Sequence, residues 1–340
     1  MNTYGKNFTI TIFGESHGKC VGAVIDGVPA GTAICESDFA KALERRRNGD
    51  IPELSHGTTA RKEEDLPVIL SGVLDGKATG SPIAVIFENK DCRSSDYGQF
   101  RDQPRPSHAD FAANAKFSGF NDIRGGGQFS GRMTLPLAAA GVLALKALEQ
   151  KGFSLSIKSR IKAIQGEADE KKWSGLIQQA KADGDSLGGE VECRIDGLAA
   201  GVGEPFFNSL ESAISHLAFS VPGVKGIQFG DFSDSPAEGK NKASLMKGSE
   251  FNDPIIDSQG HTSTNHSGGI NGGLSNGNPI VFTLDIRPAA SIAKTQQTFN
   301  FKSGKTEKLS IGGRHDACIA LRCPVIAESV AAIVLADILL

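Results

Sequence analysis

Two histidines stand among glycine, serine and arginine: His17 in Gly14-Glu15-Ser16-His17-Gly18, and His108 in Arg105-Pro106-Ser107-His108-Ala109-Asp110. Imidazole gives and takes a proton near neutral pH, so a loop histidine beside an arginine is a candidate acid for the departure of an anionic group. A loop histidine satisfied by backbone hydrogen bonds is the plainer alternative. Anion capture is the second chemistry in view. The stretch Arg124-Gly125-Gly126-Gly127-Gln128-Phe129-Ser130-Gly131-Arg132 runs into an apolar segment that reads as a helix. Free N–H groups at a helix start attract anions, and two arginines add forked donors. A glycine turn flanked by solvated arginines competes with this reading. The spacing is neither that of a Walker loop nor that of a dinucleotide fingerprint.

Arg45-Arg46-Arg47 closes a segment in which Phe39, Leu43 and Arg46 share one helical face. Such a run often only complements a helix C-terminus, but Arg46 would point inward, where a charge needs an anionic partner. Asp316, after Arg314-His315, is a candidate proton acceptor or a helix cap. His261 and His266 have no third ligand at suitable spacing, so no metal site is expected.

The elements that must position these residues follow from periodicity. Phe8 to Phe13 and Val21 to Ile25 read as strands, with His17 in their connection, and Ile83 to Phe87 as a third. Ser37 is a plausible N-cap for a helix through Arg47 that Asn48-Gly49 ends. Residues 48–65 read as a loop, and 88–130 hold few periodic apolar runs, which is more often functional than idle. The clearest helix spans about Thr134 to Gln150; a charged segment (166–185), a strand (190–195) and a helix through Leu210, Ile214 and Leu217 follow. The last third reads as a glycine-rich loop, a strand over Ile280 to Ile286, a further loop and a terminal helix from about Val325. Interspersed strands and helices fit mixed α/β or α+β, in one unit over 1–340.

With 36 basic against 39 acidic residues, no overall field favours nucleic acid or an anionic membrane, so anion binding must be local. There is no run of 18 apolar residues and no signal-like N-terminus, which leads us to expect a cytoplasmic protein. Six scattered cysteines without a Cys-x-x-Cys pair read as reduced thiols.

Taken in order, these segments resemble one family. Gly14 to Gly18 through Asp26-Gly27-Val28-Pro29 looks like the N-terminal signature of chorismate synthases. Arg105 to Asp110, Arg124 to Arg132, Asn265-His266-Ser267-Gly268-Gly269, Arg287-Pro288-Ala289-Ala290-Ser291 and Arg314-His315-Asp316 through Glu328 resemble its other hallmarks. The resemblance implies an α+β fold, a β-α-β sandwich with helices between antiparallel sheets, assembled as a homotetramer. It implies anti 1,4-elimination of phosphate from 5-enolpyruvylshikimate-3-phosphate (EPSP), requiring reduced FMN. NADPH or a separate flavin reductase are the candidate sources of electrons. By the same resemblance His108 protonates the departing phosphate, His17 protonates the reduced flavin, and Asp316 helps the flavin accept the C6 proton. Arg46, Arg105, Arg132 and Arg314 would bind substrate, with Arg61 from a divergent loop. Flavin contacts would come from Gln128, Phe129, Ser130, Ser249, Glu250, Phe251, Asn252, Gly272, Arg287, Pro288, Ala289, Ala290, Ser291 and Arg314.

The chain departs from the pattern in places. The family usually carries arginine and serine at the positions of Gln128 and Phe129, which removes one cation near the flavin phosphate. It usually carries alanine, arginine and glutamate at those of Gly131, Arg132 and Met133. The 48–65 loop is longer than usual, with Ser55 or His56 in place of a frequent arginine, and Ala317 replaces a common proline. A non-catalytic homologue that holds flavin or a phosphorylated acid is the alternative function.

Overall fold

A computed structural model describes residues 2–58, 63–90, 94–233, 242–313 and 315–340; Arg61 and Arg314 lie outside them. The alternating segments pair as expected. Thr9–Gly14 lies antiparallel to Cys20–Asp26, which pairs with Ile83–Glu88; Thr3–Tyr4 and Val68–Ile69 complete a five-stranded antiparallel sheet. Val21, Ala23, Ile25, Ile83, Val85 and Phe87 point from it into the core. A second antiparallel sheet has the order Val224–Phe229, Ile280–Ile286, Gly189–Asp196, Ser156–Ile164.

The helices are α1 (Ser37–Asn48), α2 (Asp110–Lys116), α3 (Thr134–Gln150), α4 (Glu170–Ala182), α5 (Leu210–Ala218), α6 (Gly248–Phe251) and α7 (Pro324–Leu339). Between the sheets, α3 packs on the first, α7 on the second, and the two helices on each other. Both are apolar on nearly all sides, as helices covered on every face must be. Residues 131–150 are apolar and long enough to cross a membrane, yet 78% of that window is buried inside the protein. A Cβ at Gly141 would lie 2.5 Å from the Ser329 Cβ, so glycine there sets how closely α3 and α7 approach. The Asp337 carboxylate on α7 accepts from the backbone N–H of Lys6, Asn7 and Phe8, tying the first sheet to the terminal helix.

Several elements differ from the sequence expectation, which did not include the strands Ser156–Ile164 and Val224–Phe229. The charged segment contains α4, whose buried Trp173, Ile177 and Ala180 form one stripe under an otherwise polar surface. Gln296–Asn300 and Lys305–Leu309 form a hairpin where a loop was expected. Ser37 is the first residue of α1 and not its cap, because the Asp38 carboxylate takes up the Cys35 N–H at 2.7 Å. Gly49, at φ 80°, ends α1 by donating to Arg45 O.

Candidate functional site

One cavity of about 350 Å³ opens between the glycine-rich turn before α3, the end of α1, and the segments that flank α7. His17 and His108 both line it.

The His108 corner is built over six residues. Asp110, at the start of α2, accepts two bonds from the Arg105 guanidinium, Nε to Oδ2 and Nη2 to Oδ1, each 2.7 Å. His108 Nδ1 lies 2.6 Å from the same Oδ1, so Nδ1–H donates there and Nε2 is left to the cavity side. Burial pushes the Asp110 carboxyl up, but hydrogen bonds from Arg105 and His108 outweigh it and hold the group well below the usual carboxylate range. Arg105 is itself buried, lies over the Phe100 ring at 4.5 Å, and donates to Ser291 Oγ at 3.0 Å. This fixes both the tautomer and the direction of the imidazole, the function an orienting carboxylate has beside any acid–base histidine.

The glycine turn separates the two imidazoles. Gly125, Gly126 and Gly127 all have positive φ, at 58°, 84° and 54°. A Cβ on Gly125 would stand 2.1 Å from His17 Nδ1, and one on Gly126 3.2 Å from His108 Nε2. Glycine is therefore required twice over, by backbone angle and by the rings pressed against it. Ser16 N donates to Gly127 O at 3.1 Å, fastening the His17 connection to the turn, and Tyr97 meets the His17 ring edge-on at 5.0 Å.

The third wall is cationic. Arg46 faces inward from α1, as its place beside Phe39 and Leu43 predicts, and meets Asp65 Oδ2 at 3.4 Å. Arg132 Nη1 meets Asp65 Oδ1 at 2.8 Å; Arg132 also donates to Asn89 Oδ1 and Glu88 O. Burial lowers the Arg46 guanidinium to about 10, with Asp65 opposing and Arg322 and Arg132 reinforcing the shift, so it stays charged at neutral pH. Arg322 stands 3.5 Å from Asp316. Arg322 Nε and His315 Nε2 are buried without a hydrogen-bond partner among the described residues. Burial also holds His315 below the usual imidazole range, against the pull of bonds to Ile311 and Gly312. Arg287 is lowered by burial and has no carboxylate partner among the described residues. Six arginines but three carboxylates line the described walls, so the complementary ligand is an anion. Cys323 also lines the cavity, but burial pushes its thiol up to about 12, which removes it as a nucleophile.

Of the residues singled out in the sequence, His17, His108, Asp316, Arg46, Arg105, Arg132, Phe129, Ser130, Arg287, Ala289, Ala290 and Ser291 line this cavity. Gln128 faces a smaller neighbouring hollow with Phe117, Phe120 and Phe129, and Pro288 is exposed beside the main one. Ser249, Glu250, Phe251 and Asn252 do not line it. They sit on and after α6, where Phe251 stacks on the buried His266 and its carbonyl lies 3.2 Å from His266 Nδ1. Gly272 turns the hairpin between Ile270–Asn271 and Leu274–Ser275, also away from the cavity walls. Asp65, Arg47, Glu63, Tyr97, His315 and Arg322 line it without having been singled out. Asp65, Glu63 and Tyr97 carried no local signal in the sequence, whereas Arg47 lay in the arginine run that ends α1, and His315 and Arg322 lay in the segment that holds Asp316.

The family model described as chorismate synthase matches residues 8–340. A chorismate synthase of Chitinophaga pinensis is 50% identical over 341 residues, covering 100% of this chain and 97% of its own. One of Pyrococcus abyssi is 40% identical over 360 residues, covering 99% and 97%. A solved structure titled as the crystal structure of chorismate synthase has a TM-score of 0.71 at 23% identity, covering 98% of this chain and 92% of its own, and bears on the fold alone.

Proposed function

The chain belongs to the chorismate synthase family, and from that premise we propose that it is a lyase that eliminates phosphate from EPSP to give chorismate, with reduced FMN as cofactor. The observation that carries this reading is the convergence of His17, His108 and an excess of arginines on one cavity. EPSP carries a phosphate and two carboxylates, and guanidinium forks suit both groups.

The residues fit the cofactor. Arg287 donates to Pro288 O and keeps N–H groups for a phosphate, and Phe129, Ser130, Ala289, Ala290 and Ser291 line the same cavity. Arg322 Nε, without a partner among the described residues, is a further buried donor in want of an acceptor. Bound there, reduced FMN would lend electron density to the substrate and recover it, without net redox change.

This chain's own residues carry the proton work. His108 acts as the imidazolium: it keeps Nδ1–H on Asp110, gives its Nε2 proton to the departing phosphate and is left as the neutral imidazole. His17, on the other side of the glycine turn, is a second proton donor, and the Asp316 carboxylate beside Arg322 would help the bound flavin take the C6 proton. Arg46, Arg105 and Arg132 hold the substrate's anionic groups. By family membership the working unit spans 1–340 and acts in the cytoplasm as a homotetramer, its flavin reduced by NADPH or by a separate reductase.

The test is anaerobic incubation with EPSP and chemically reduced FMN. Chorismate and phosphate should form in equal amounts; FMN binding without product at stoichiometric enzyme would leave a binding protein and end the catalytic reading.

A further inference from the structure

We propose that Asp65 determines specificity by acting as a built-in counter-anion: its carboxylate fills the corner between Arg46 and Arg132 and restricts what that corner holds to a singly charged group. The inference rests on the cavity being the substrate site.

The geometry is that of an occupied anion site. Asp65 Oδ1 and Oδ2 face one guanidinium each, 2.8 Å from Arg132 and 3.4 Å from Arg46, with side chains 3%, 5% and 7% exposed. Without the carboxylate, two buried cations would face each other across a space that matches an oxyanion, and their mutual repulsion would favour any dianion that entered. Each arginine spends other N–H groups on the protein: Arg46 on Thr134 Oγ1 and Gly131 O, Arg132 on Asn89 Oδ1 and Glu88 O. A guanidinium has five N–H donors, so each arginine keeps some for the cavity that both line. The corner then carries a net single positive charge. That matches a carboxylate of the substrate and disfavours the phosphate dianion that the reaction releases.

The placement of Asp65 is enforced. Its backbone has φ 53°, a region non-glycine residues enter at a cost. The preceding residues are fastened on both sides, since Arg47 Nη1 donates to Glu64 O at 2.9 Å and Glu63 Oε2 accepts from Lys90 N at 3.2 Å.

The experiment is thermal stabilisation by inorganic phosphate, which needs neither turnover nor EPSP and so stands apart from the elimination reading. Asp65→Asn keeps the shape and removes the charge; its apparent Kd for phosphate should fall by roughly tenfold or more relative to the unaltered chain. Asp65→Glu keeps the charge, and its Kd should stay within about threefold. Equal or weaker phosphate binding by Asp65→Asn would overturn the proposal. So would a tenfold tightening in Asp65→Glu, an outcome that can be read even if the asparagine variant does not fold.

Discussion

Replacing His108 with alanine is expected to slow phosphate elimination by roughly 10²-fold or more while FMN still binds. The size follows from the role. Phosphate leaves poorly as an unprotonated trianion, and His108 is the imidazole whose far nitrogen is fixed on a carboxylate and whose near nitrogen is turned to the cavity. The variant should fold, because Arg105 retains both of its bonds to Asp110 and its place over Phe100 after the ring is removed. Single-turnover kinetics with saturating reduced FMN separate chemistry from binding. A near-normal rate constant would remove His108 from the mechanism.

Arg132→Ala should do more than weaken substrate binding. Its guanidinium meets the buried Asp65 carboxylate, Asn89 Oδ1 and Glu88 O, and alanine leaves all three short of a donor. Removing one partner of a buried ion pair typically costs about 3–5 kcal/mol, because the charge left behind is uncompensated. Arg46 at 3.4 Å only partly makes up the loss. Chemical denaturation should therefore show a clearly lowered midpoint, and titration with EPSP in the presence of oxidised FMN should show strongly reduced affinity. Unchanged stability and unchanged affinity together would mean that this arginine is solvated, contrary to the packing described.

What the sequence made legible was whatever a single period expresses. The strands at 9–14, 20–26, 83–88 and 280–286 and the helices α3, α5 and α7 carry one dominant apolar pattern, and their expected limits agree within a few residues. The strand Ser156–Ile164 was hidden because lysines and an arginine alternate with its isoleucines and a register shift at Ile161/Ala163 breaks the period. α4 was hidden by its charged outer faces, and the 296–309 hairpin by polar residues on both faces.

The same contrast holds in the site. The inward turn of Arg46 was legible because helical spacing put a charge on an apolar face, which demanded a buried anion. That the anion is Asp65 was not legible, since it reaches Arg132 across 67 residues from a loop with no pattern. The Arg105–His108–Asp110 cluster could be read as a local run, but not that both cation and imidazole converge on a single carboxylate oxygen. The family resemblance flagged Met133 in place of a glutamate next to Arg132, and the structure supplies that arginine's counter-charge from Asp65.

The most direct measurement is a crystal structure of the complex with EPSP and oxidised FMN, in which turnover cannot begin. EPSP is expected in the cavity with its phosphate toward His108 Nε2, Arg46 and Arg132 within hydrogen-bond reach of a carboxylate, and the FMN phosphate near Arg287. EPSP seated outside the cavity, or bound in it with neither His17 nor His108 within reach of the ligands, would contradict this assignment.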